Sequence, residues 1–426
     1  TNNVDEYKRI KGTQDIYGSE IDYWNQVEKT AKSILEKYAF KELRTPIIEP
    51  TELFNRGIGN ETDIVKKEMY TFEDKGGRSI TLRPEGTAPA VRAYIENSMI
   101  NSGLPIKLFY FGPMFRYEKP QSGRLRQFHQ FGAEIFGSDY PLADAEIIIM
   151  LNNILSSVGL RNYRLKINSV GCPKCRAEYR KALKEYFGKY LGEMCEDCQS
   201  RYEKNPMRLL DCKVQKDKEY AREAPSILDY LCEECRDHFA NVKKYLDLSH
   251  VIYEVDSRIV RGLDYYTKTA FEFEHLDLGA QAVIAGGGRY DGLVEEIGGP
   301  STPSVGFGMG VERVILAMKA EKVQFLCEND VDVYIVHSGK GTEEQALELT
   351  SKLRSDGIKA YISVVKRNMS GQFKHANKIG ARLSIVIGED ELTNNFYTVK
   401  NMVTGDQSQV EKEWVTDIIK EKLEGI

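Results

Sequence analysis

The chain has 426 residues, 41% of them hydrophobic and 29% charged, and a net charge of −5, which excludes a polycation and leaves nucleic-acid contact to local basic patches. No apolar run approaches the roughly 20 residues that span a bilayer, and the polar start TNNVDEYKRIKGTQD is unlike a signal peptide. The expected location is therefore the cytoplasm, with no membrane partner and with thiols kept reduced.

In chain order, Ile21, Trp24, Val27, Ala31, Ile34 and Leu35 recur at helical spacing and predict a helix over 20–40. Residues 43–49 (LRTPIIE) predict a strand interrupted by Pro46, and 79–83, 106–111 and 127–136 carry the alternation or β-rich content of strands. A second amphipathic helix is predicted over 142–157. From 168 to about 247 the texture is short, charged, cysteine-bearing helical pieces. Strand texture resumes at 250–274 and 280–285, followed by a glycine-rich turn and a helix over 311–322. The expected class is α+β: an antiparallel-sheet domain over 1–325 with a cysteine-rich helical insertion at about 172–247. After a polar joint at 323–331 the tail alternates strand 331–337, helix 342–355, strand 358–364, helix 371–379, strand 382–388, a short strand pair and helix 411–424. That order predicts a small α/β domain with a parallel sheet over 331–426.

The most informative segments are RGLDYYT (261–267) and GGGRYDG (286–292). Consecutive glycines let backbone approach a ligand closely, and the adjoining Arg, Asp and Tyr offer charge and hydrogen bonds to a small polar molecule. The plain alternative is two turns with solvated charges. Residues 112–137 place Arg116, Lys119, Arg124 and Arg126 against one acid, Glu118, in a loop between two strands. Alternation in the second strand puts Gln130 and Glu134 on one face. A cationic loop above inward polar groups suits a nucleotide phosphate; a solvated hairpin is the alternative. In RPEGT (83–87), Glu85 and Thr87 fit either a ligand ammonium or a helix cap. In SVGFGMGVER (304–313), alternate glycines precede a helix whose first turn carries Arg313, against the helix dipole unless an anion sits there.

Seven of the eight cysteines lie between 172 and 235, as Cys172-x-x-Cys175, Cys195-x-x-Cys198, Cys212 and Cys232-x-x-Cys235. In a reduced protein such pairs point to structural zinc held by four thiolates from two pairs. Spacing does not say which two. The expected set is Cys172, Cys175, Cys195 and Cys198, with Cys232 and Cys235 as the alternative pair. In the tail, Lys352, Arg354, Lys359, Lys366, Arg367, Lys374, Lys378 and Arg382 face one acid, Asp356, with Tyr361, Phe373 and His375 among them. Such a stripe suits a phosphate backbone and unpaired bases; a solvated helix face is the alternative.

Together these segments resemble the class II aminoacyl-tRNA synthetases, and within them the histidyl-tRNA synthetase family. YAFKELRTPIIEPTELF (38–54) is similar to motif 1, FRYEKPQSGRLRQFHQFGAE (115–134) to motif 2 and GFGMGVER (306–313) to motif 3. RGLDYYT and GGGRYDG resemble the two segments specific to the histidine enzymes. The cysteine-rich insertion departs from many members. The resemblance implies a class II catalytic domain, a C-terminal anticodon-binding domain, and ATP-dependent ligation of L-histidine to tRNA(His), with magnesium and a homodimer. By resemblance, Arg116 contacts the α-phosphate, Arg313 the γ-phosphate, and Arg261 is a fixed catalytic cation beside the histidine carboxylate. Glu85, Thr87 and Gln130 hold the substrate amine, Glu134 and Tyr266 read the imidazole, and Tyr265 joins the histidine pocket. Gln121 and Arg124 approach the tRNA acceptor end, Arg124 also serves ATP, and Lys366, Arg367 and Lys374 meet tRNA in the tail domain. The rivals are a non-catalytic histidine-sensing regulatory paralogue on the same fold, and a class II enzyme for proline or threonine.

Overall fold

The structure, a computed structural model, describes residues 6–259, 261 and 265–425. Gly262, Leu263 and Asp264 of RGLDYYT thus lie outside the described residues. The chain divides into two compact units at the Phe325–Leu326 junction.

The first unit is built on eight strands: β1 (Lys41–Glu42), β2 (Ile106–Phe115), β3 (Gln127–Phe136), β4 (Tyr163–Ser169), β5 (Glu254–Val255), β6 (Thr267–His275), β7 (Val283–Arg289) and β8 (Ser304–Gly310). Their order in the sheet is β1-β2-β3-β8-β7-β6-β4-β5. Pairing is antiparallel except at the two edges, where β1 runs parallel to β2 and β5 to β4. β3 covers the stretch its alternation predicts.

Register gives this sheet two unlike faces, because successive side chains point to opposite sides. On one face lie Phe109, Phe131, Ala133, Ile135, Phe271, Phe273, Val305, Phe307 and Met309, all buried in the main core. The helices Ser19–Lys37, Pro141–Ser157 and Val311–Ala320 cover them with Leu35, Leu151 and Val314. Each such large side chain contributes roughly 1.5–3 kcal/mol on burial. On the other face, Tyr110 sits opposite Gly132, and Gln130, Gly132 and Glu134 sit opposite Gly310, Gly308 and Gly306. Gly308 and Gly306 in turn oppose Gly286 and Gly288, and Gly286 opposes Glu272. The middle of this face is a floor of bare backbone with polar groups at its margins.

The triple glycine is therefore not a turn, as its composition predicts, but the interior of β7, paired on both sides. The alternate glycines before Arg313 are likewise strand β8. Glycine in a strand marks a close approach as well as a bend, and here the approach is what it serves. Pro46 lies in a link between two strands rather than within one: Lys41–Glu42 joins the large sheet, while Ile48–Pro50 joins a separate three-stranded sheet with Tyr70–Glu73 and Ser79–Leu82.

The cysteine-bearing region folds as the helices Pro173–Gly188, Glu196–Lys204 and Gln215–Arg222, with short 3-10 turns, around its own core of Tyr179, Leu183, Phe187, Met207 and Leu209. The helix Glu233–Leu248 begins in that core with Cys235 and ends in the main core with Val242 and Leu246. A fully buried ion pair ties the helix Pro141–Ser157 to β7, and His238 of the helix Glu233–Leu248 joins it. The Arg289 Nε donates to both oxygens of Asp144 (3.0 and 3.1 Å), and His238 Nε2 lies 2.8 Å from the same carboxylate. Burial alone would raise the Asp144 pKa; the Arg289 and His238 partners override it and hold it at about 2.

The second unit is a five-stranded mixed sheet in the order Ala360–Ile362, Val333–His337, Leu383–Ile387, Phe396–Asn401, Gln407–Glu411. The first three strands are parallel, as the βαβ order predicts, and the last two are antiparallel. No helix among the described residues is long and apolar enough to cross a membrane.

Candidate active site and cysteine clusters

Side chains from neighbouring elements lie flat on the glycine floor. A Cβ at Gly132 would fall 2.2 Å from the Tyr110 ring, and one at Gly288 would fall 2.8 Å from the Tyr266 ring. A Cβ at Gly286 would meet the Arg261 guanidinium at 2.7 Å, and one at Gly306 would meet Glu134 Oε2 at 1.8 Å. Real atoms do not approach so closely, so glycine is what admits these four groups to the sheet surface.

Glu134 is fully buried and accepts hydrogen bonds from the hydroxyls of Thr87 (2.7 Å), Tyr110 (3.1 Å) and Tyr290. Burial pushes its pKa up to about 8. Glu85 is also buried, and its two oxygens accept the backbone N–H groups of Thr87 (2.7 Å) and Ala88 (2.9 Å). The helix-cap reading of RPEGT is thus realised at the start of Thr87–Glu96, and burial raises the Glu85 pKa. Gln130 reaches over Gly308, whose Cβ would sit 3.9 Å from its amide. Tyr265 packs between Tyr266 and Tyr290, with ring centroids 4.8 and 5.6 Å away.

Four guanidinium groups converge here from three parts of the chain. Arg116 donates through Nε to Pro84 O (2.9 Å) and stacks over Phe128 at 5.2 Å. Arg313 donates through Nε to Gly123 O (2.9 Å) and through Nη1 to Val283 O (2.7 Å). Arg124 lies 3.6 Å from Glu118, and Arg261 donates through Nη1 to Glu272 (2.9 Å). The Nε atoms of Arg124 and Arg261 are buried with no hydrogen-bond partner. The groups feel one another: burial, then the charges of Arg124 and Arg116 and also that of Arg261, push the Arg313 pKa down to about 10. Four partly desolvated cations in mutual repulsion make a site for an anion.

Beside them opens a cavity of about 330 Å³ lined by Arg116, Arg124, Glu118 and Glu68, with Arg201 and Arg208 on its insertion side. Burial and the neighbouring Glu118 raise Glu68 to about 7. Gln121 and Arg124 close the loop above it through paired backbone hydrogen bonds of 3.0 and 2.9 Å. Arg208 Nη1 donates to the Arg261 carbonyl (3.3 Å).

The cysteines group differently from the expected set. Cys172 and Cys175 gather with Cys232 and Cys235, while Cys195 and Cys198 gather with Cys212 and Asp217. The quartet Cys172, Cys175, Cys195 and Cys198 is therefore corrected: helix packing brings the first and last pairs together and leaves the middle pair to a local turn.

In the second unit, Lys366 and Lys374 are exposed, and Arg367 is half-buried, donating to the Ser363 hydroxyl (2.9 Å). The stripe is narrower than its sequence predicts, because Arg382 donates to Leu423 O (2.9 Å) and Lys359 pairs with Glu328 at 3.1 Å. Tyr361 and His375 pack with Tyr334 at 5.1 and 5.7 Å.

Sequence reading missed Tyr110, Glu272, Arg208 and Glu68. Tyr110 and Glu272 had a signal: both lie in stretches that read as strands, 106–111 and 250–274, where alternation sets the face. Arg208 and Glu68 reach the site through tertiary folding alone. GGGRYDG divides: Tyr290 serves Glu134, but Arg289 is a buried structural partner of Asp144 rather than a ligand group.

An antiparallel sheet with a polar glycine face and converging arginines, followed by a separate α/β unit, defines a class II aminoacyl-tRNA synthetase, and comparison with known proteins agrees. Residues 12–314 match the histidyl-tRNA synthetase family and residues 331–422 the anticodon binding domain family. The histidine–tRNA ligase of Thermosipho melanesiensis is 51% identical over 98% of this chain and 99% of its own length. That of Thermotoga petrophila is 52% identical over 98% and 99%. Among solved structures, apo S. aureus histidyl-tRNA synthetase superposes with a TM-score of 0.84 at 42% identity, covering 97% of this chain and all of that one (100%). The chain belongs to the histidyl-tRNA synthetase family.

Proposed function

We propose that this chain activates L-histidine with ATP and transfers it to tRNA(His). In the first step a histidine carboxylate oxygen attacks the α-phosphorus, and the bond to the bridging oxygen breaks to release pyrophosphate. In the second, the terminal ribose hydroxyl of the tRNA attacks the acyl carbon and AMP leaves. Both reactants of the first step are anions. Arg116, Arg261 and Arg313, fixed before substrate arrives, offset that repulsion without reorganising. Arg116 is assigned to the α-phosphate, Arg313 to the γ-phosphate, Arg261 to the carboxylate, and Arg124 to ATP and, with Gln121, the acceptor end. The observation that carries this reading is the convergence of those cations, two of them with buried Nε atoms that make no hydrogen bond.

Histidine itself is assigned to the glycine floor. Thr87, Gln130 and the rim near Glu85 take its amine; Glu134 and Tyr266 take its imidazole, with Tyr265 behind them. A site that hydrogen-bonds both ring nitrogens rejects an isostere by roughly 10⁴-fold or more, since its own polar groups would be left unpaired. Glu68 and Glu118 of the cavity would hold magnesium, which would supply charge neutralisation for the phosphates. Cys172, Cys175, Cys232 and Cys235 are assigned a structural zinc. The exposed Ile47, Ile48 and Phe72 of the three-stranded region support a homodimer. Exposed Lys366 and Lys374, with Arg367, are assigned to tRNA(His), and the protein to the cytoplasm.

The regulatory-paralogue reading is not favoured, since the three motif arginines and the tail unit are all present. Histidine-dependent exchange of pyrophosphate into ATP tests the assignment. Exchange supported by histidine and not by proline or threonine is expected; no exchange, or exchange with another amino acid, overturns it.

A further inference from the structure

The insertion holds a second cluster, separate from the four thiolates of Cys172, Cys175, Cys232 and Cys235. Cys195 stands at the start of the helix Glu196–Lys204, Cys198 lies in its first turn, Cys212 follows the 3-10 turn Pro206–Asp211, and Asp217 lies in the helix Gln215–Arg222. One ligand atom from each lies within 4.8 Å of all the others. We propose that Cys195, Cys198, Cys212 and Asp217 bind a second zinc ion, so that each chain carries two.

The geometry supports a metal rather than a disulfide or packed thiols. Cys195 and Cys212 Sγ are 3.8 Å apart, and Cys212 Sγ is 3.3 Å from Asp217 Oδ2. A disulfide needs about 2.05 Å. Tetrahedral zinc with Zn–S of about 2.3 Å separates its sulfurs by about 3.8 Å, and a carboxylate oxygen at about 2.0–2.2 Å comes somewhat closer. The first cluster shows the same edges, with Cys172 3.6 Å from Cys175 and 3.9 Å from Cys232.

Asp217 supplies an independent observation. It is fully buried, yet its Oδ1 has no hydrogen-bond partner. No arginine, lysine or histidine among the described residues forms a salt bridge with it. A buried carboxylate oxygen with no partner is disfavoured; a divalent ion beside it removes the anomaly. Backbone donors complete the shell: Cys195 N–H donates to Asp217 Oδ2 (3.1 Å) and Val214 N–H to Cys212 Sγ (3.4 Å). Four protein donors leave no open position, so the ion is structural.

Its place in the fold gives it a job. Arg201, Lys204, Arg208 and Lys213 line the cavity, and all lie between Cys198 and Asp217. The ion cross-links the segments that carry them and so fixes the cavity's basic wall; this consequence, unlike the binding itself, rests on the function proposed above.

Metal analysis of the purified full-length protein, with native mass spectrometry, tests the proposal without substrate. Two zinc ions per chain are expected in the wild type, and one in a Cys212→Ala/Asp217→Ala double variant. A single zinc in the wild type, or two retained in the double variant, overturns it. Should that variant not fold, cobalt(II) replacement in the wild type decides. Four thiolates at one site and three at the other predict near-ultraviolet thiolate-to-cobalt absorption in two distinguishable sets, and Asp217→Cys makes the second set resemble the first. One cobalt per chain, or a spectrum that Asp217→Cys leaves unchanged, rejects the second site. Neither readout depends on histidine activation, so failure of that activity and failure of metal binding are separable.

Discussion

The pocket floor and the cysteine-rich insertion reach their geometry by different routes. On the floor, register converts a local pattern into a shared face: Gln130 and Glu134, four residues apart in β3, meet Gly310 and Gly306 across the ladder. In the insertion, each C-x-x-C fixes a pair but not its partner. Cys172 and Cys232 meet across sixty positions of sequence, while Cys195 finds Cys212 nearby. Strand periodicity propagates information along a sheet, and nothing comparable links one short helix to the next.

The largest expected effect lies where the two regions are joined. Asp144→Ala takes from buried Arg289 one of its two carboxylates, leaving Asp291 at 2.9 Å, and takes from His238 and Thr269 their shared acceptor, and should cost about 3 kcal/mol in stability. Denaturant unfolding followed by far-ultraviolet circular dichroism measures it; a loss below about 1 kcal/mol would show that Asp144 is not what holds the helices Pro141–Ser157 and Glu233–Leu248 to β7. Next comes Arg261→Ala, which should keep the unfolding midpoint near that of the wild type while cutting histidine-dependent pyrophosphate exchange by roughly 10²–10³-fold. Exchange at the wild-type rate would remove Arg261 from the catalytic role. A third effect, read as a slope rather than a midpoint, is a pH dependence from Glu134. Its folded pKa of about 8 stands above the ordinary carboxylate value of 4.5. The folded protein therefore holds an extra proton between those limits, and its stability falls as pH rises through that window. Glu134→Gln should flatten this slope relative to the wild type; identical slopes in the two proteins would mean that Glu134 ionises normally.

Much of the fold was legible because its signals were periodic. The alternation in QFHQFGAEIF matches β3, and the strand-helix order of the tail matches a sheet whose first three strands are parallel. Gly286, Gly287 and Gly288 were legible as a site but not as a strand. Composition alone does not separate a glycine that turns the chain from one that makes room for Arg261 and Tyr266. Glu85 carried two readings, and the structure realises the cap while leaving the carboxylate beside the pocket. Arg208 and Glu68 carried no local signal, because they reach the cavity only through packing of the insertion and the first sheet.

A recess floored by glycine already has the least side chain possible beneath its occupant. Truncation cannot deepen it, and any replacement at Gly286, Gly288 or Gly306 makes it shallower. Variants selected to accept bulkier histidine analogues should therefore change the overhanging groups, Tyr265 and Tyr266 among them, and keep the floor as it is.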